Sequence, residues 1–192
     1  YKRRYNIEVT ADDILITSGS QQGLDLIGKV FLNKEDTVLI EKPAYLGMIQ
    51  ALSLYEPYFK GIDLLDDGLN LDQLSAALKE YKPKLMYSVP NFQNPTGLTY
   101  SAENRKGIAQ CFEGTSTFLI EDDPYGELRF KGDDIPYVHA YGLKNSILLG
   151  SFSKIVTPGM RIGWICCKDK DVMDKLVTAK QASDLHTNYF SQ

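Results

Sequence analysis

Lys154 stands at the end of the apolar run Leu148-Leu149-Gly150-Ser151-Phe152-Ser153, and Thr157-Pro158-Gly159-Met160-Arg161 follows it. A lysine so placed can act as a nucleophile. Amines that form Schiff bases are held in confined pockets that lower their pKa, and the end of a buried strand can wall such a pocket. The hydroxyls of Ser151 and Ser153 and the guanidinium of Arg161 are natural donors to a phosphate. Taken alone, however, the stretch is better explained as a strand that leaves the core into a polar turn and ends in a solvated lysine.

Four other stretches carry groups of chemical interest. Ser18-Gly19-Ser20-Gln21 joins an apolar run to a helical pattern, so the first free N–H groups of that helix could bind an anion, although an ordinary helix start reads the same way. Tyr45, after Lys42-Pro43-Ala44, could stack on a planar ligand or simply pack. Asn94, in the turn-rich Asn91-Phe92-Gln93-Asn94-Pro95-Thr96-Gly97, offers a side-chain amide or merely builds a turn. Glu121-Asp122-Asp123 ends an apolar run before Pro124-Tyr125, and three adjacent acids there need a nearby cation or solvent.

The elements that must position these groups follow from periodicity. Runs at 14–17, 37–41, 58–62, 84–90, 117–120, 147–152 and 161–167 read as strands. Helices are expected over 21–32, 46–54, from Asn70 through Leu71, Leu74 and Leu78, from Ser101 to about Phe112, and from Val172 toward Ala182, with Asn70 and Ser101 as caps. The early strands alternate with helices and should be parallel, whereas 161–167 follows 147–152 too soon for a crossover and should pair antiparallel. The fold expected is therefore α/β and three-layered, with a mostly parallel seven-stranded sheet, one antiparallel strand and helices on both faces. Every candidate group then falls at the carboxyl end of a strand, on the edge where open α/β sheets bind ligands. An amine, a carboxylate, a phenol, an amide, an aromatic face and an anion cradle on one edge match the needs of pyridoxal phosphate.

Composition narrows the class. The 192 residues, 43% hydrophobic and 24% charged, can bury one sizeable core, so residues 1–192 are read as a single domain. A formal net charge of −4 with no basic block argues against nucleic acid or an anionic membrane surface as the main partner of this segment. Cys111, Cys166 and Cys167 lack metal-ligand spacing and are taken as reduced thiols of a cytoplasmic protein; His139 has no neighbouring histidine, so no metal is expected. The first residue is not methionine, and both the opening Tyr1-Lys2-Arg3-Arg4-Tyr5 and the closing Ser191-Gln192 read as cut ends of a longer protein.

The motifs together resemble a family. Ser18-Gly19-Ser20-Gln21-Gln22-Gly23-Leu24, Asn91 through Gly97, Glu121-Asp122-Asp123-Pro124-Tyr125-Gly126-Glu127-Leu128 and Ser151 through Gly163 are similar to the fold-type I, class I/II aminotransferases. Ala179-Lys180-Gln181-Ala182-Ser183-Asp184-Leu185-His186-Thr187 resembles the 2-aminoadipate and kynurenine aminotransferase subgroup in particular. The resemblance covers nearly the whole chain and implies the large cofactor-binding domain of a pyridoxal-phosphate enzyme. It implies that Lys154 forms the aldimine, that Asp122 pairs with the pyridine nitrogen and that Tyr125 binds the phenolate oxygen. The family pattern D-x-P-Y selects Asp122 over Asp123. It further implies that Asn94 touches the phenolate, that Tyr45 stacks on the ring, and that Ser20, Gln21, Ser151, Ser153 and Arg161 surround the phosphate.

The implied reaction moves an amino group from an amino acid to a 2-oxo acid. In the family, an arginine of a carboxy-terminal small domain grips the substrate carboxylate, and an amino-terminal segment and a second subunit close the site. The parent is thus expected to be a homodimer, while the segment alone could lack activity and does not name its amino donor. Regulators of the MocR type, which place an aminotransferase-like domain behind a DNA-binding head, are the alternative; they resemble Ser151 to Arg161 but show a different pattern at Asp123-Pro124-Tyr125 and Phe92-Gln93-Asn94-Pro95. A cofactor-free binding module is a third reading.

Overall fold

Strands form where apolar, β-branched runs are bounded by turn formers, and helices where caps precede a 3.6-residue apolar period. A computed structural model describes residues 7–192, so the basic opening read as a cut end lies outside the described residues. Along the chain come β1 (Ile14–Thr17), α1 (Ser20–Phe31), β2 (Thr37–Lys42), α2 (Leu46–Ser53), β3 (Tyr58–Leu65) and β4 (Gly68–Leu69). After them follow α3 (Leu71–Tyr81), β5 (Leu85–Ser88), α4 (Ala102–Cys111), β6 (Phe118–Asp122), β7 (Ser146–Ser151), β8 (Gly163–Cys167) and α5 (Lys170–Asp184). Both expected caps form: Gln73 N–H donates to Asn70 Oδ1 over 3.0 Å, and Asn104 N–H to Ser101 Oγ over 3.0 Å. Each contributes about 1 kcal/mol to its helix.

The sheet order is β1-β8-β7-β6-β5-β2-β3-β4. All seven expected strands are present, with an eighth, β4, added by a tight return. β3 does not end at Ile62 but continues, so that Leu64 faces Leu69 and Leu65 faces Gly68 in an antiparallel pair. Gly68 permits this return because its φ is +143° and a Cβ there would lie 2.2 Å from Asn104 Oδ1.

β2, β3, β5, β6 and β7 are parallel neighbours, and β8 pairs antiparallel with β7, as the short connection requires. One expectation is corrected. β1 does not pair with a parallel strand; it lies at the sheet edge against β8, with Ile14 opposite Cys166 and Thr17 opposite Gly163. β8, folding straight back from β7, takes the place beside β7 and leaves β1 only the outer side of β8. The two reversals cancel, so β1 runs in the same direction as β7 and its carboxyl end stays on the shared edge.

Both faces of the central strands are covered, as parallel sheets demand. Leu85 and Tyr87 of β5 join a core with Leu24, Ile27, Met48 and Leu176 from α1, α2 and α5. Met86, between them, points the other way, into a core with Leu74, Leu78, Ile108 and Leu119 beneath α3 and α4. The period-2 alternation therefore fills two apolar layers, and each fully buried leucine contributes about 1.5–3 kcal/mol.

Candidate functional site

The carboxyl ends of β1, β2, β5, β6 and β7 open onto one cavity of about 260 Å³. Its lining includes all ten residues singled out in the sequence: Ser20, Gln21, Tyr45, Asn94, Asp122, Tyr125, Ser151, Ser153, Lys154 and Arg161. Tyr87, Val89, Pro124 and Pro158 also line it and were not foreseen.

Asp122 forms the floor. Its side chain is buried, and Tyr87 Oη donates to Oδ2 over 2.8 Å. Oδ1 is equally buried but has no partner. A buried carboxylate oxygen left so is costly, and a cationic N–H placed in the cavity would relieve it. Burial pushes the Asp122 carboxyl up to about 7 against the lowering bond from Tyr87, with Asp123 and Glu41 adding repulsion. The three acids of this strand end separate. Glu121 points away and accepts from Val138 N–H over 2.9 Å, while burial raises it to about 7 against the pull of Arg105. Asp123 accepts from Gly126 N–H over 2.8 Å and from Tyr137 Oη over 2.6 Å. Of the two ways the sequence left open for holding these acids, a cation is found for Glu121 and Asp123: Arg105, on α4.

At one end of the cavity the start of α1 meets the β7–β8 connection. Gly19 precedes the helix at φ +86°, and a Cβ there would come within 2.6 Å of Arg161 Nη2. Gly163 is tighter still, since its Cβ would lie 2.7 Å from Gly19 C and Ser20 N. These two glycines let β8 press Arg161 and the helix start together. Arg161 Nη2 donates to the Ser18 carbonyl over 3.2 Å and Nη1 to Ser153 Oγ over 3.5 Å. Ser151 Oγ donates to Ser153 Oγ over 2.9 Å and accepts from Ser153 N–H over 3.1 Å. Hydroxyls, a guanidinium and free helix N–H groups so clustered form an anion cradle. Gln21 borders it, though its side-chain amide donates to the Gly47 carbonyl over 2.7 Å.

On the opposite side, Asn94 Nδ2 donates to Tyr125 Oη over 3.4 Å, joining the amide and phenol expected to act together. The Asn94 loop is anchored by Glu41, a fully buried acid at the end of β2. Glu41 accepts from Val89 N–H over 2.6 Å, Tyr100 Oη over 2.6 Å and Gln93 Nε2 over 2.7 Å. Gln93 also donates to the Pro43 carbonyl over 2.9 Å, which ties this loop to the approach of Tyr45. Burial of Tyr45, with Asp122 nearby, raises its phenol. Glu41 could have been noticed in the sequence, because it ends an apolar strand as Asp122 does. Lys154 is exposed and lines the cavity together with Pro158.

Cys111, Cys166 and Cys167 are free and take no part; burial pushes the last two thiols up to about 11. His139 packs its Nδ1 2.5 Å from Ser146 Oγ. No group of three or more His, Cys, Asp or Glu among the described residues is placed to hold a metal ion, and no helix among them is long and apolar enough to cross a membrane.

Comparison with known proteins agrees with this geometry. The profile of "Aminotransferase class I and II" matches residues 1–190. An aromatic-amino-acid aminotransferase of Thermococcus litoralis is 44% identical over all of this chain and 47% of its own length. A 2-aminoadipate transaminase of Thermus thermophilus is 40% identical over 97% of this chain and 48% of its own length. The crystal structure of a Pyrococcus horikoshii kynurenine aminotransferase superposes with a TM-score of 0.91 at 43% identity, covering 99% of this chain and 48% of that one. A Bacillus subtilis protein named as an HTH-type transcriptional regulator also matches, at 35% identity over 97% of this chain and 38% of its own length. The chain spans about half the length of the curated enzymes it matches. With the matched profile spanning nearly every residue and the motif positions gathered at one sheet edge, the chain belongs to the class I and II aminotransferase family.

Proposed function

We propose that this chain is the cofactor-binding large domain of a pyridoxal-phosphate-dependent aminotransferase that exchanges an amino group between an amino acid and a 2-oxo acid. The observation that carries the reading is the orphaned, buried Oδ1 of Asp122 in the same cavity as Lys154 and the Arg161 cradle. Pyridoxal phosphate, when bound, supplies an aldehyde that condenses with amines and a protonated ring that draws electrons from the bond being broken.

The residues present fit that group. Asp122 Oδ1 would hold a protonated ring nitrogen, and that cation would in turn favour the ionised carboxylate over the neutral one. Tyr125 and Asn94 hold the ring's phenolic oxygen, and Tyr45 offers an aromatic face. Ser20, Ser151, Ser153, Arg161 and the N–H groups at Ser20 and Gln21 hold the phosphate. Lys154 Nζ would hold the aldehyde end of the group and, when free, would serve as the general base that moves the α-proton of the substrate. Relatives named for 2-aminoadipate and kynurenine support a bulky amino-acid substrate; a cytoplasmic, homodimeric parent is part of the same proposal.

The test is addition of pyridoxal phosphate followed by borohydride reduction and peptide mass mapping. The reading expects a pyridoxyl group fixed on Lys154 and none in Lys154→Ala. Labelling that is unchanged in the variant overturns it. A second reading, the effector domain of a DNA-binding regulator, is favoured by the regulator relative that matches this chain. A basic helix-turn-helix encoded ahead of this segment decides for that reading.

A further inference from the structure

The peptide unit around Ser18, which leads into the anion cradle, is held from both ends. Its N–H donates to Gln22 Oε1 over 2.8 Å, and its carbonyl accepts from Arg161 Nη2 over 3.2 Å. Gln22 is the third residue of α1, the position from which a glutamine side chain can reach back over the helix start. An amide has two chemically different ends, and only its oxygen can accept from Ser18. Something must therefore fix which way the amide points.

Asp184, the last residue of α5, does so. Gln22 Nε2 donates to Asp184 Oδ2 over 2.9 Å, across 162 positions of sequence. An ionised carboxylate can only accept, so it takes the NH2 end of Gln22 and leaves the oxygen to Ser18. The Lys180 ammonium holds the other carboxylate oxygen, and its side chain is only 6% exposed. Burial pushes the Asp184 carboxyl up, but the bonds from Gln22 and Lys180 outweigh it and hold the group below the usual carboxylate range. The carboxylate is thus kept ionised and oriented. α1 and α5 already meet through Leu24, Ile27, Met173 and Leu176. The polar chain adds little to that apolar contact and ends on the cradle.

We propose that Lys180, Asp184 and Gln22 form a positioning relay that sets the Ser18–Ser20 turn and thereby the affinity for the phosphate of the cofactor. The inference rests on the cofactor reading above and extends it to residues that do not line the cavity. None of the three touches the reacting atoms. Their effect is expected at the phosphate end of the site, where Arg161 and the Ser18 carbonyl meet.

The experiment measures dissociation constants of pyridoxal phosphate and of pyridoxal, which lacks the phosphate, for the intact protein and for Gln22→Leu, Asp184→Asn and the double variant. The relay predicts that Gln22→Leu weakens pyridoxal phosphate by about tenfold while pyridoxal changes less than about twofold. Asp184→Asn, which preserves the shape of the side chain and is checked by thermal unfolding because Lys180 loses its charge partner, should give a smaller loss of the same kind, and the double variant should be no worse than Gln22→Leu because the residues act in series. Equal weakening of both ligands, or undiminished affinity for pyridoxal phosphate in Asp184→Asn and Gln22→Leu, overturns the relay. A parent protein that binds neither ligand overturns the cofactor reading itself, and the relay with it.

Discussion

Tyr87 on β5 and Asp122 on β6 meet diagonally across adjacent strands, because Tyr87 pairs with Ile120 and the alternating pleat returns Asp122 to the same face. The phenol binds one carboxylate oxygen and leaves the other for the cavity. It thus both holds the acid in place and selects the oxygen presented to a ligand.

Tyr87→Phe removes this bond and leaves both oxygens of Asp122 without a partner. The expected cost is about 1–3 kcal/mol at pH 8, where the acid is ionised. The Asp122 pKa, already near 7, should rise further, since the lost bond was lowering it. Carbon-13 titration of the labelled carboxyl and urea unfolding check the two effects, and an unmoved titration would show that Tyr87 does not govern this group.

The cofactor-free protein should lose stability as pH rises from about 4 to about 7. Asp122 and Glu121 both titrate near 7 in the folded protein because burial disfavours their charged forms. Between the unfolded value near 4 and the folded value near 7, the native state binds more protons, so unfolding free energy falls with increasing pH. The contribution is fully present below about 4 and amounts to a few kcal/mol, roughly, per group. Unfolding curves across this window measure the slope, and Asp122→Asn should flatten it.

Arg105→Met should destabilise the protein by about 3–5 kcal/mol, because it strips a buried cation from its partners. The guanidinium donates to the carbonyls of Pro90, Tyr100, Ile135 and Pro136 and to Asn91 Oδ1, and it offsets the charge of Glu121. The loss should appear as a lower urea midpoint. A change within about 0.5 kcal/mol would mean that the loops carry themselves.

Gly163→Ala should weaken both stability and phosphate binding. The new methyl would meet backbone atoms at 2.7 Å from Gly19 and Ser20 and at 2.8 Å from the Gly150 carbonyl, none of which is a flexible side-chain end. A cost of about 1–3 kcal/mol is expected for such overpacking. Thermal unfolding and pyridoxal phosphate titration report the two losses; Gly97→Ala, which meets nothing within 4 Å, separates the clash from backbone strain at positive φ.

Seven of the eight strands, the five helices, the caps of Asn70 and Ser101 and ten of the residues lining the cavity were legible in the chain, the elements by periodicity and turn chemistry and the cavity residues by short motifs and the family they resemble. β4 escaped notice because two residues carry no period, and only the ladder to Leu64 and Leu65 makes them a strand. The partners that tune the site were equally hidden. Tyr87 reads as one more apolar strand residue until β6 lies beside it, and Arg105 reads as a surface charge of α4 until the loops at 90–91 and 135–136 close over it.

Local sequence thus settled which groups the edge would carry and their order along the chain. The packing of distant segments settled how those groups are held: β1 displaced to the outside of β8, the three acids of β6 parted onto different partners, and Gln22 bound to Asp184 across the whole chain. The reason is one of range. Propensities and caps act over a few residues, whereas orientation at the site depends on which strands and helices come to lie side by side, and that is fixed by burial of the two apolar layers together.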